Sequence, residues 1–169
     1  MQHVAVSVTS LCPFCVHMER NEHRSNSHVA STATVPRKMI LVLFVPALFG
    51  AAHHVDHIVR GNHVGWPLTP EVNAFTLSLA VYPLLAIGLV LTVTGRTGLR
   101  YWLGFFTANS VVLASVHLGP WAIEPPSDII APYNDPMLGY GAFGVLLALI
   151  AAVAIGAAYT GVLVLRGGR

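Results

Sequence analysis

The chain has 169 residues, 54% of them hydrophobic and only 9% charged, and carries a formal net charge of +2. A soluble domain has roughly a quarter of its residues charged, so an ordinary water-soluble globular domain is excluded, and a mean hydropathy of +0.66 agrees. The small net charge gives no footing for nucleic acid, and two cysteines cannot staple a secreted mini-domain. The composition describes a small integral membrane protein whose first partner is the lipid bilayer.

Residues 1–36 form a polar stretch with no apolar periodicity, expected to be a disordered cytoplasmic tail. It lacks the apolar core and small-residue cleavage site of a signal peptide. Within it stands Cys12-Pro-Phe-Cys15, with His17 two residues on. This is similar to the CPYC active site of glutaredoxins, a resemblance that implies thiol exchange at Cys12 and Cys15; a CxxC pair also suits a metal. A glutaredoxin needs a whole α/β domain, however, and the first apolar stretch opens at Met39, which would itself begin that stretch cleanly. The functional reading therefore rests on residues 37–169.

A bilayer core about 30 Å thick needs roughly 20 mainly apolar residues per helix. Four stretches meet this requirement: 39–58, 70–94, 98–118 and 136–165. The first is purely apolar to Ala52 and then carries His53, His54, Asp56 and His57. The second opens at Thr69-Pro70-Glu71, a cap, an N1 proline and a dipole-matched acid, and Gly95 is its C-cap. The third ends before Gly119-Pro120. The fourth opens at Asp135-Pro136, another cap followed by proline. Pro46 and Pro83 should kink the first two spans. The expected fold is all-α, a four-helix transmembrane bundle.

Eight of the nine basic residues, Arg20, Arg24, Arg37, Lys38, Arg96, Arg100, Arg166 and Arg169, fall on one side of this arrangement, with Arg60 alone on the other. The positive-inside rule then puts both termini in the cytoplasm, N-in and C-in, in the cell membrane. Trp102 at the inner edge, and Trp66 and Trp121 at the outer edge, would join interfacial belts. Tyr82, Asn109, Ser110 and Ser115 are expected as buried hydrogen-bonding groups. In the fourth span Gly144, Ala148, Ala152, Gly156 and Thr160 recur every fourth residue. Such a ridge of small side chains lets helix backbones approach closely in lipid, within the bundle or in a homo-oligomer.

The informative stretch runs from His53 to Pro67, HHVDHIVRGNHVGWP. On a helix His53, Asp56, His57 and Arg60 share one face. His117 ends the third span, which runs in the same direction as the first. At 1.5 Å per residue His53 and His117 differ in depth by only about 3 Å, so their imidazoles can converge. Ionisable side chains at membrane depth are costly and point to function.

Three readings compete. The first is a zinc, copper or iron site with His53, His57, His117 and Asp56 as ligands, and His54 and His63 as further candidates; Glu71 or Asp128 are alternatives for a fourth ligand, and Asp56 could instead orient an imidazole. His53-x-x-Asp56-His57 is similar to the HxxEH of inverzincin metallopeptidases, which implies His53 and His57 as ligands and Asp56 as the acid. The second reading is a b-type haem held axially by His53 or His57 with His117. The third is interfacial structure alone, with Asp56 and Arg60 as an exposed i,i+4 pair worth tenths of a kcal/mol. A His/Asp proton relay is a further option. The proline-rich segment from Gly119 to Asp135 is too long for a simple connection and is expected to fold back over the histidine end, bringing Glu124 and Asp128 near it. No phosphate loop, dinucleotide fingerprint or nucleophile elbow is present.

Overall fold

Six helices make up the regular structure of the described residues, 38–60 and 72–167, in a computed structural model. They are α1 (Lys38–Val59), α2 (Ala74–Ser78), α3 (Val81–Val93), α4 (Leu99–His117), α5 (Pro126–Ile130) and α6 (Pro136–Gly167). The described residues all belong to one unit, Thr32–Arg169. The tail with Cys12 and Cys15, and also His63, Trp66 and the Thr69–Glu71 cap, lie outside them.

Three stretches are long and apolar enough to cross a membrane: α1, the α2–α3 run Ala74–Val93, and α6. The fourth expected span, α4, has spanning length at 19 residues, but Arg100, Asn109 and Ser110 make it less apolar than the other three.

Local chemistry explains the helix ends. The second span begins at Ala74 rather than at residue 70, because Asn73 caps it. The Asn73 side chain accepts from Thr76 N at 3.0 Å and Thr76 Oγ1 accepts from Asn73 N at 2.8 Å, a reciprocal capping box. This span is interrupted at Leu79–Ala80 rather than only bent. Pro83 has no N–H to return to Leu79, and its ring crowds that carbonyl. By contrast, α1 continues through Pro46. Gly95 takes φ +68° and closes α3 as expected. Its N–H reaches Thr92 O and Arg96 N–H reaches Leu91 O at 2.8 Å, which is the paired bond pattern of a Schellman end. Asp135 caps α6 by accepting from Met137 N at 2.9 Å.

The long α6 packs on α4 and α1. The core joins Met39 and Leu43 of α1, Trp102 and Phe106 of α4, and Leu149 and Val153 of α6. The small-residue ridge of α6 is used unevenly. Gly156 lies under the Phe106 ring, where a Cβ would come within 2.9 Å, whereas Gly144 faces open space. On the other flank Gly88 of α3 receives Tyr101, to which a Cβ would come within 2.3 Å. Tyr101 donates to Leu84 O at 2.6 Å, and Trp102 Nε1 to Thr92 Oγ1 at 2.9 Å. Trp102 is thus fully buried, not a belt residue, because the glycines at 88 and 156 leave room for rings inside the bundle. Trp121 remains 88% exposed. Asn109 and Ser110 return their protons to carbonyls of α4 itself, and Ser115 is exposed, so these three do not link helices.

Candidate metal centre

At the far end of the bundle the sequence of α1 places His53, Asp56, His57 and Arg60 on one face, and all four are buried. His117, at the last turn of α4, meets them. Its ring centroid is 5.1 Å from that of His53 and 6.5 Å from that of His57. The segment after α4 then folds back. Glu124 N–H donates to Val116 O, turning the Glu124 side chain into the histidines, where it has 0% exposure. Behind it α5 is seated on α6 at Gly139, where a Cβ would stand 2.5 Å from the Ile130 carbonyl oxygen. Only a glycine permits this approach, so position 139 fixes the segment that carries Glu124.

One arginine organises the charges. Arg60 Nε donates to Asp56 Oδ2 and Nη1 to Glu124 Oε1, both at 2.7 Å, and Nη1 also reaches the Asp128 carbonyl at 3.2 Å. Tyr133 donates its hydroxyl to the other Asp56 oxygen. The Asp56–Arg60 pair is therefore a buried network, not the exposed local pair its spacing alone suggests, because Glu124 and the 119–135 segment close over it. Burial and the bond to Asp56 push the Tyr133 phenol up to about 12. Burial alone would raise the Glu124 carboxyl; His117, His57 and Arg60 outweigh it and hold the group below its ordinary value.

The remaining hydrogens follow from the donor inventory. His117 Nδ1 lies 3.2 Å from both the Glu124 main-chain oxygen and Glu124 Oε2, each an acceptor, so Nδ1 carries the hydrogen and the neutral ring keeps its lone pair on Nε2. His57 Nε2 lies 3.2 Å from His53 Nε2 and 3.4 Å from Glu124 Oε2. Two buried atoms then have no hydrogen-bond partner among the described residues: His53 Nδ1 and Glu124 Oε2. An unsatisfied buried polar atom costs about 1–3 kcal/mol. One donor atom from each of His53, His117 and Glu124 falls within 4.8 Å of the others.

No family model, curated protein or solved structure matches this chain.

Of the residues singled out from sequence, His53, His57 and His117 come together. Asp56 is turned away from them into the Arg60 and Tyr133 contacts. His54 faces α2 and α3, with Nε2 2.9 Å from Ser78 Oγ. Asp128 meets Arg60 through its main-chain oxygen alone, and His63 and Glu71 lie outside the described residues. Glu124 joins the histidines as a donor in its own right. The sequence signal for it was the proline-rich segment folding back, which points to proximity but does not say which acid enters.

Proposed function

We propose that this chain is a multi-pass membrane protein of four spans, both termini cytoplasmic, that holds a transition-metal ion at its outer end. The ligands are His53, His117 and Glu124, with His57 beside them as a fourth donor or as the group that orients His53. The carrying observation is the pairing of convergence with unmet hydrogen bonding: three buried donors within 4.8 Å of one another, with no hydrogen-bond partner among the described residues for His53 Nδ1, nor for Glu124 Oε2, which has only the close imidazoles of His57 and His117. A cation satisfies both atoms at once.

Ligand atoms on a tetrahedral zinc stand roughly 3.4 Å apart, so small side-chain rotations close the site. Charge supports the same reading. Asp56 and Glu124 bring two negative charges and Arg60 one positive, leaving the buried cluster with one negative charge in excess when the histidines are neutral. Hydrogen bonding of His117 Nδ1 to a carbonyl and of Glu124 Oε1 to Arg60 is the supporting layer that aims metal ligands. Two imidazoles and one carboxylate suit zinc, copper or iron. A haem held between His57 and His117 would have to displace Glu124, which lies 3.4 Å from one ring and 3.2 Å from the other, so the geometry favours a bare ion.

The test is metal content with an absorption spectrum, on untagged protein purified in mild detergent. About one zinc, copper or iron per chain is expected, lost in His117→Ala and Glu124→Gln and kept in His54→Ala. A Soret band would replace the ion with haem. Protein that holds no metal and takes up none when it is offered would end the proposal. For the topology, alkaline phosphatase fused after Pro126 should be active and fused after Arg96 inactive; the reverse would move the site to the cytoplasm.

A further inference from the structure

Between α2–α3 on one side and α1, α4 and α6 on the other lies a cavity of about 500 Å³, a volume typical of small-molecule sites. The start of the α2–α3 run is held at Ser78 and Tyr82, which meet His54, and its later part at Leu84, Gly88 and Thr92, which meet Tyr101 and Trp102. The space beside these contacts is left unfilled. Leu43, Leu85, Phe105 and Leu113 make its walls largely apolar, with Asn109 among them, and His54, Ser78, Tyr82 and His117 line its histidine end. Leu77, Leu84 and Val112 line it and are also 66%, 49% and 58% exposed. In a membrane these side chains face acyl chains, so the way in leads from hydrocarbon.

The polar end can place its protons in two ways. His54 Nδ1 is 2.8 Å from Gly50 O and 2.9 Å from the Tyr82 hydroxyl, while Nε2 is 2.9 Å from Ser78 Oγ. Two neutral arrangements follow. In one, Tyr82 donates to Nδ1, Nε2–H donates to Ser78, and Ser78 donates to Phe75 O at 2.6 Å. In the other, Nδ1–H donates to Gly50 O, Ser78 donates to Nε2, and the Tyr82 proton points elsewhere, into the cavity it lines. A ligand that only accepts hydrogen bonds selects the second arrangement without stranding a proton.

We propose that this cavity binds a lipid-soluble quinone, with a ring carbonyl accepting from Tyr82 and the tail leaving between Leu77, Leu84 and Val112. An acceptor-only head is what Tyr82 serves. A carboxylate head would carry its charge into a cavity whose described lining holds no Lys or Arg. The inference rests on the membrane placement proposed above and not on the metal.

The experiment uses the full chain in mild-detergent micelles and a benzoquinone with a ten-carbon tail. Retained quinone is compared with that in empty micelles, and metal is assayed in the same preparation. Saturable retention near one per chain is expected. Tyr82→Phe should weaken it about tenfold, the loss of one hydrogen bond. Val112→Trp, whose indole fills the exposed mouth, should abolish it, and decane should not compete. Should Tyr82→Phe fail to fold, Val112→Trp at its exposed position still decides the matter. Retention no greater than in empty micelles, an unchanged affinity in Tyr82→Phe, or displacement by equal decane would each overturn the proposal. Quinone retained by metal-free protein leaves this inference standing and removes the metal; metal without quinone does the opposite.

Discussion

At the Arg96 end of the bundle, α3, α4 and α6 meet through aromatic rings laid on glycines: Tyr101 on Gly88 and Phe106 on Gly156. At the other end α1, α4 and the 119–135 segment meet through Arg60, two carboxylates and three imidazoles. The first end is held by shape. Its contacts are short-ranged and mostly apolar, with two hydrogen bonds from Tyr101 and Trp102, and none of them involves a charge. The second is held by charge and proton placement, where removing one member leaves others buried without partners. Rings on glycines make a scaffold; a network with two orphaned atoms makes a site.

Three variants and one titration can break or sharpen this contrast. Arg60→Met should have the largest effect. It leaves Asp56 and Glu124 buried without their cation, which costs about 3–5 kcal/mol; detergent melts should show a large drop together with lost metal. Gly156→Leu forces side-chain atoms into the Phe106 ring and should cost about 1–3 kcal/mol. Metal content per folded chain should stay unchanged, and a matching loss of metal would mean that the two ends are not independent. Tyr133→Phe removes one bond to Asp56 and should cost about 1 kcal/mol, read in the same melts, with metal retained. The smallest effect is on pH dependence. Because folding raises the Tyr133 phenol from 10 to about 12, its contribution is complete below the ordinary tyrosine range and fades as pH climbs through 10 towards 12. The ultraviolet difference between wild type and Tyr133→Phe should show a phenol titrating near 12, and one titrating at 10 would remove the Asp56 contact from the account.

Much of the scaffold could be read from residue order, since its signals are local. Asp135-Pro136, Gly95 and the apolar runs announce helix ends within a turn. The i,i+3/i+4 spacing of His53, Asp56, His57 and Arg60 fixes their shared face. Equal rise along α1 and α4 brings His117 level with His53. What local signals could not supply was the role of each acid. Asp56 is adjacent to the histidines in sequence yet is claimed by Arg60 and Tyr133, while Glu124 reaches the imidazoles only because Gly139 lets Ile130 lie against α6. Trp102 looks interfacial from its position; Gly88, on another helix, makes room for its ring. The α2–α3 break combined a local cause, Pro83, with an Asn73 cap that a stronger-looking motif at residues 69–71 obscured.

The separation between Arg60 and Glu124, 64 residues along the chain, has a consequence for the order of synthesis. A chain that enters the bilayer as it is made must insert α1 long before Glu124 exists. Its histidines, Asp56 and Arg60 then have only one another. The i,i+4 pairing of Asp56 with Arg60 lets the first helix arrive already self-neutralised, one acid to one base. The second acid, and with it the unbalanced charge that would draw a cation, arrives only when α4 is in place and the following segment folds back. The site is therefore finished late, by the last third of the chain, around a helix that can wait for it.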